Sequence, residues 1–416
     1  MASAIVTGAT GILGREIVRR LSNNPQKWKK IHAFSRSQKE QHPTSVEHSF
    51  LDLAGSAEDM ARALRGIEAE YVFFAAYLQK DSDQANWEVN GDMLQNFLSG
   101  LGQSGAVKTI KRIILVTGAK RYGVHLGQPK NPMLESDPRL VGAPWPPNFY
   151  YRQEDILQSF CAQHPHIQWV VTYPSEVIGF AKGNYMNLAT ALGLYAVVSK
   201  ELGNKELPFP GSEAFYTGFG VFTSSRLHAE FCEWAALEPR AGNEAFNVVN
   251  GDVESWQNLW PRVAQRFGMG VKPDQFRDDA PLATSAPMAP KPPLSVVARD
   301  VGLVGVADQP SKLEARVDLV KWSQQQDVKA AWRRLSETEG LQEDAFEKAT
   351  WWFLKLVLGR NFSVVQSMRK ARAMGWTGYL DTWESLSEVF AELEAEKILP
   401  KTHNGQMKPY TNLLAR

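Results

Sequence analysis

Thr7-Gly8-Ala9-Thr10-Gly11-Ile12-Leu13-Gly14 is the stretch whose reading decides the fold. It follows the apolar run at residues 4–6 and opens a segment of helical spacing at 12–22. Strand, glycine turn and helix in that order form a phosphate cradle. Gly8 permits the tight turn, Gly11 lets the backbone approach a pyrophosphate, and Gly14 lets the helix pack close to the strand. The helix start then offers free N–H groups and the positive end of its dipole.

Outward from this loop, short apolar runs recur at 31–34, 72–76, 113–116 and 169–172. Segments of helical spacing lie between them at 56–66, 84–100 and 149–163. Continuous apolar strands alternating with helices predict an α/β fold, a Rossmann-type doubly wound parallel sheet covered on both faces. A helix at 224–237 and a strand at 245–249 return to that sheet. The rest reads as a smaller, mostly helical substrate-capping domain rich in Trp. The expected boundaries are 1–178 plus about 219–252 for the nucleotide-binding domain. The cap takes about 179–218 plus 253–416. A proline-rich stretch at 281–294 reads as an extended surface loop, an insertion without function.

The chain has 416 residues, 44% of them apolar and 22% charged, which is ordinary globular composition and enough for two domains. A formal net charge of +1 gives no field for nucleic acid, and no basic–aromatic pattern suggests it. Two cysteines, Cys161 and Cys232, build no disulfide framework and fit reduced thiols. No apolar run is long enough to span a membrane and no signal peptide is visible, so the expected address is cytoplasmic. The eight histidines have no ligand spacing with either cysteine, so no metal site is expected.

The tip of the second strand bears on the choice of cofactor. Phe34-Ser35-Arg36-Ser37 carries no carboxylate to hold a ribose 2′-hydroxyl; Ser35 and Arg36 are the expected cofactor contacts here, and Arg36 can pair with a 2′-phosphate. This favours NADPH over NADH. Asp52 and Leu53, after the third strand, have two readings: adenine contacts, or for Asp52 a helix cap. Thr7, Gly8, Thr10, Gly11, Ile12 and Leu13 complete the expected cofactor set at the loop. Ala75, Thr117, Pro174 and Val177 complete it at other strand ends.

A reductase must stabilise the oxyanion formed after hydride transfer. A phenol with a nearby ammonium suits that task. The usual Tyr-x-x-x-Lys is absent: Glu154 follows Tyr150 at that spacing, and Asp155 follows Tyr151. Lys120 lies instead just past the fifth strand, at the edge where ligands of such sheets bind. Thr117-Gly118-Ala119-Lys120-Arg121-Tyr122, Asn148-Phe149-Tyr150-Tyr151 and Glu154-Asp155-Ile156-Leu157 together resemble the progesterone 5β-reductase/iridoid synthase-like group of atypical extended short-chain reductases. Phe209-Pro210-Gly211-Ser212, Trp234-Ala235-Ala236, residues 247–252 and 367–376 match further landmarks, the last as a final helix and turn. The resemblance implies Tyr150 and Lys120 as the catalytic pair, both also touching the cofactor. It implies NADPH-dependent 1,4-reduction of an enone or enal with an apolar, steroid- or terpenoid-like skeleton, and a homodimer as a candidate assembly.

Departures from the family pattern fall on the pocket. Tyr173 stands where the family has Arg, and Gly123-Val124-His125-Leu126 replaces aromatic positions. Tyr77, Tyr122, His125, Tyr185 and Phe215 are the candidate substrate contacts, with His125 a further candidate proton donor. Three rival functions stay open: a carbonyl (1,2-) reductase, a redox-neutral cyclase or isomerase, and a non-catalytic NADPH-binding sensor.

Overall fold

The computed structural model describes residues 1–37, 41–183, 186–277 and 282–402. Seven parallel strands form the main sheet: β1 (Ala2–Thr7), β2 (Trp28–Ser35), β3 (Val46–Phe50), β4 (Tyr71–Phe74), β5 (Arg112–Val116), β6 (Gln168–Pro174), and a last strand, Glu244–Val248. Two short strands come before that last one in the chain, β7 (Glu176–Ile178) and β8 (Phe222–Ser224), which pair with each other. Glu244–Val248 is therefore β9. The order is β3-β2-β1-β4-β5-β6-β9, which reverses direction between β1 and β4. A crevice opens at such a reversal, beyond the carboxyl ends of the strands.

Period-two alternation sorts each strand between two cores. Ala4 and Val6 face one, Ile5 the other, and Ile114 is split from Ile113 and Leu115 in the same way. On the first face lie α1 (Gly14–Ser22) and a helix at Ser225–Leu237. On the second lie α2 (Ala57–Ala63), α3 (Asp83–Ser104) and α4 (Phe149–Gln163). All the expected strands of the sheet are present. α4 spans the residues that its spacing predicts.

The second core continues into the C-terminal half. Leu188–Glu201 is buried along nearly its whole length, and Trp256, Trp260, Trp351 and Trp383 are buried around it. A short helix, Arg369–Ala373, follows the landmark at 367, but it is not the last one: Thr382–Ala395 comes after it. None of the described helices is long and apolar enough to cross a membrane.

The proline-rich stretch differs from its expected form. Thr284–Pro287 is a strand, β10, paired antiparallel with β11 (Lys312–Ala315). A two-stranded sheet tolerates Pro287 at its end, where the next residue, Met288, donates its N–H to the Ser311 carbonyl. The excursion between β10 and β11 has a small core of its own, Leu294, Ala298 and Ala307. Pro281 lies outside the described residues, as do the last dozen residues of the chain.

Candidate active site

The glycine loop has the geometry its sequence demands. Gly8 has φ +67°, and a Cβ there would lie 2.5 Å from the Ala75 carbonyl oxygen, so Ala75 forms the wall of the turn. A Cβ on Gly14 would run into the Gly8 carbonyl. One on Gly11 would meet only the Gly8 oxygen, at 3.2 Å, so this backbone face is open to a ligand. Thr10, Ile12 and Leu13 are half-buried around it. Thr7 Oγ1 is buried, with no hydrogen-bond partner among the described residues, as is Ser175 Oγ after β6. Open loop, orphaned hydroxyl and helix start together fit a dinucleotide.

At the tip of β2, Arg36 is exposed. The Ser35 hydroxyl is already engaged: it donates to the Ser37 carbonyl and meets His48 Nε2, each at 2.7 Å. Asp52 does not cap α2, which is capped by Ser56 in a reciprocal capping box with Asp59. Asp52 Oδ1 instead accepts from Ala54 N at 3.1 Å, and Leu53 is buried beside it. The Thr117 hydroxyl donates to the Thr172 carbonyl at 2.9 Å, which ties β5 to β6.

Tyr150 stands in the first turn of α4. A Cβ on Gly118 would come 3.2 Å from the Tyr150 hydroxyl and 3.4 Å from the Pro174 carbonyl oxygen. Glycine thus leaves room for the phenol at the ends of β5 and β6. Burial holds the phenol well above its ordinary pKa, so Tyr150 is a neutral hydrogen-bond donor. Lys120 follows in the 3-10 turn Ala119–Tyr122. Burial lowers its pKa, against a smaller opposing pull from Asp83.

Asn148 ties the turn that carries Lys120 to the helix that carries Tyr150. Its Oδ1 accepts from Tyr150 N at 3.1 Å as the cap of α4. Its Nδ2 donates to the Lys120 carbonyl at 2.7 Å. Tyr151 donates its hydroxyl to the Arg121 carbonyl at 2.7 Å and accepts from Leu140 N. From the far side the β10–β11 excursion holds the same loop. Gln128 N donates to Ser311 Oγ at 2.8 Å, and Leu294 N to the Gln128 carbonyl at 2.9 Å.

The expected pocket residues separate. Tyr77 is partly exposed and stacks on Phe149, with ring centroids 5.3 Å apart. His125 is a neutral imidazole, its pKa pushed down to about 3 by burial, then by Lys120 and Arg360. Its Nδ1 has no partner among the described residues. Phe215 is buried beneath the Arg360 guanidinium, 6.0 Å from its ring centroid. Val177, on β7, is half-buried. Tyr122 belongs to the core: it is 4% exposed and donates to Asn247 Oδ1 at 2.6 Å. Tyr185 lies outside the described residues.

Other residues here went unpredicted. Arg360, 3% exposed, pairs with Glu176 and has no sequence signal. Asn148 had one, as an Asn before a helix. Tyr173, in the place of the family's arginine, donates to Glu154 Oε1 at 2.9 Å. The cation for that buried carboxylate comes from Arg139, at 2.7 Å, with Arg121 at 3.8 Å. The described residues contain no cluster that could hold a metal.

A doubly wound sheet with an open glycine loop, and a tyrosine and lysine at its carboxyl edge, defines an extended short-chain dehydrogenase/reductase, an oxidoreductase with an NAD(P)-binding Rossmann domain. The profile of the PRISE-like Rossmann-fold domain matches residues 52–288. Another profile, named for the male sterility protein, matches residues 6–59. The chain is 38% identical to the uncharacterized protein C757.02c of Schizosaccharomyces pombe, over 96% of this chain and 98% of that one. It is 29% identical to the (S)-8-oxocitronellyl enol synthase ISY1 of Nepeta cataria, over 95% and 93%. It is 27% identical to the 3-oxo-Delta(4,5)-steroid 5-beta-reductase of Arabidopsis thaliana, over 96% and 92%. The chain belongs to the PRISE-like family.

Proposed function

We propose that this protein reduces the activated C=C bond of an enone or enal with NADPH, on a substrate of apolar, steroid- or terpenoid-like skeleton. The observation that carries the reading is the Tyr150 phenol at the ends of β5 and β6, beside a lysine loop tied to the same helix by Asn148. The two plant relatives support it, one named for 5-beta-reduction of a 3-oxo steroid and the other for an enol product.

Thr7 and the glycine loop would hold the pyrophosphate, and Arg36 the 2′-phosphate. NADPH held there would be the source of hydride for the β-carbon. Tyr150 would donate a hydrogen bond to the substrate oxygen as it gains enolate charge, and a proton from water at the α-carbon would then complete the saturated carbonyl. Its raised pKa keeps the proton on the phenol in the resting state. The Lys120 ammonium polarises that phenol and steadies the cofactor ribose. Burial makes both interactions stronger than they would be in water. Tyr77, stacked on the buried Phe149, would offer an apolar face to the substrate.

Product analysis tests this reading. Purified protein with NADPH is offered a panel of enones and enals, with the matched saturated ketones and aldehydes. Consumption with the unsaturated members alone, giving saturated carbonyl products, is the expected result. Alcohol products, or oxidation driven by the saturated carbonyls, would replace it with 1,2-reduction.

A further inference from the structure

We infer that His48, backed by His42, is a positioning residue for cofactor choice: it holds the Ser35–Ser37 turn so that Arg36 faces the 2′-phosphate of NADPH. The inference rests on the NADPH reading proposed above. β2 and β3 run parallel with Ala33 opposite His48, so Ser35 and His48 project from the same face of the sheet. The Ser35 hydroxyl has one proton, which goes to the Ser37 carbonyl at 2.7 Å. Its oxygen therefore accepts from His48 Nε2–H, also at 2.7 Å. His48 Nδ1 meets His42 Nε2 at 3.2 Å, and the two rings lie 5.1 Å apart. One chain of hydrogen bonds thus runs from His42 through His48 and Ser35 to the carbonyl just beyond Arg36.

Two consequences follow from that chain. Ser35 has spent its hydroxyl on the turn and acts by shaping it. The histidines also compensate for position, because β3 is the edge strand of the sheet. The turn leaves the end of β2 beside this edge, and among the described residues the backbone bond Leu51 N to the Ser35 carbonyl holds its first residue. An arginine on a loose turn must be ordered when the phosphate binds, and that cost weakens binding. Only NADPH carries the 2′-phosphate, so only NADPH feels the loss.

Dissociation constants for NADPH and NADH test this on the full-length protein, by calorimetry, for wild type, His48→Phe, Ser35→Ala and His48→Gln. We expect the NADPH constant to rise about tenfold in the first two variants, with the NADH constant unchanged. His48→Gln keeps an amide donor towards Ser35 and should recover much of the loss. Equal weakening of both cofactors, or an unchanged NADPH constant, overturns the inference. A wild type that prefers NADH would sink the NADPH reading and this inference with it, and that result is visible before any variant is made. Thermal melts confirm folding, and Ser35→Ala, the smaller change, decides the matter if His48→Phe does not fold.

Discussion

The glycine loop and the lysine loop lie at the same edge of one sheet, yet they are held in different ways. Residues 7–14 shape themselves: a left-handed glycine, a Cβ-free approach to Ala75 and a helix start, all within eight residues. Residues 117–128 are shaped by others. Asn148 and Tyr151 hold them from α4, and Ser311 and Leu294 from an excursion nearly two hundred residues away. Phosphate binding can be local because backbone N–H groups supply it. The proposed reaction centre cannot be, because in that reading a phenol from α4 and an ammonium from the lysine loop must reach one substrate oxygen.

Substitutions can break this contrast, the largest effect first. Gly14→Ala pushes a methyl group into the Gly8 carbonyl, where backbone cannot yield. It should cost about 3 kcal/mol of stability and abolish cofactor binding, as seen by urea titration and calorimetry. Asn148→Asp keeps the helix cap but loses the donor to the Lys120 carbonyl. Turnover should fall roughly tenfold or more, with a smaller loss of NADPH affinity, while the melting temperature holds, because the lysine is displaced and not the fold. Equal loss of stability and turnover would make Asn148 a cap and nothing more.

Ser311→Ala removes the acceptor for Gln128 N. About 1 kcal/mol of stability should go, with a few-fold drop in turnover. A variant as active as wild type would show that the Ser311 bond is dispensable for positioning the lysine loop.

Legibility in the sequence follows the same division. Six of the seven strands of the main sheet announced themselves as apolar runs, the edge strand β3 did not, and α4 showed as helical spacing that begins after Asn148. The glycine loop could be read residue by residue. What stayed hidden depends on distant partners. Tyr122 follows a catalytic-edge strand and reads as a pocket aromatic, yet its hydroxyl belongs to Asn247, 125 positions away. One ambiguity was local: Asp52 could be an adenine contact or a cap, and the cap is Ser56 with Asp59. Arg360 and Glu176 form a buried pair that neither residue's neighbours foretell. The prolines at 281–294 suggest a loose insertion, and only the structure shows Pro292 and Pro293 packed against Gly127 and Gly123.

The central claim is that Tyr150 and Lys120 act as one unit on the substrate oxygen. Its most direct test is a double-mutant cycle of Tyr150→Phe and Lys120→Met, read as kcat with an enone that the wild type reduces. Each single variant should lose about a hundredfold or more, and the double variant little beyond the worse single one. Losses that simply multiply, or a Tyr150→Phe enzyme of near wild-type rate, would contradict the account.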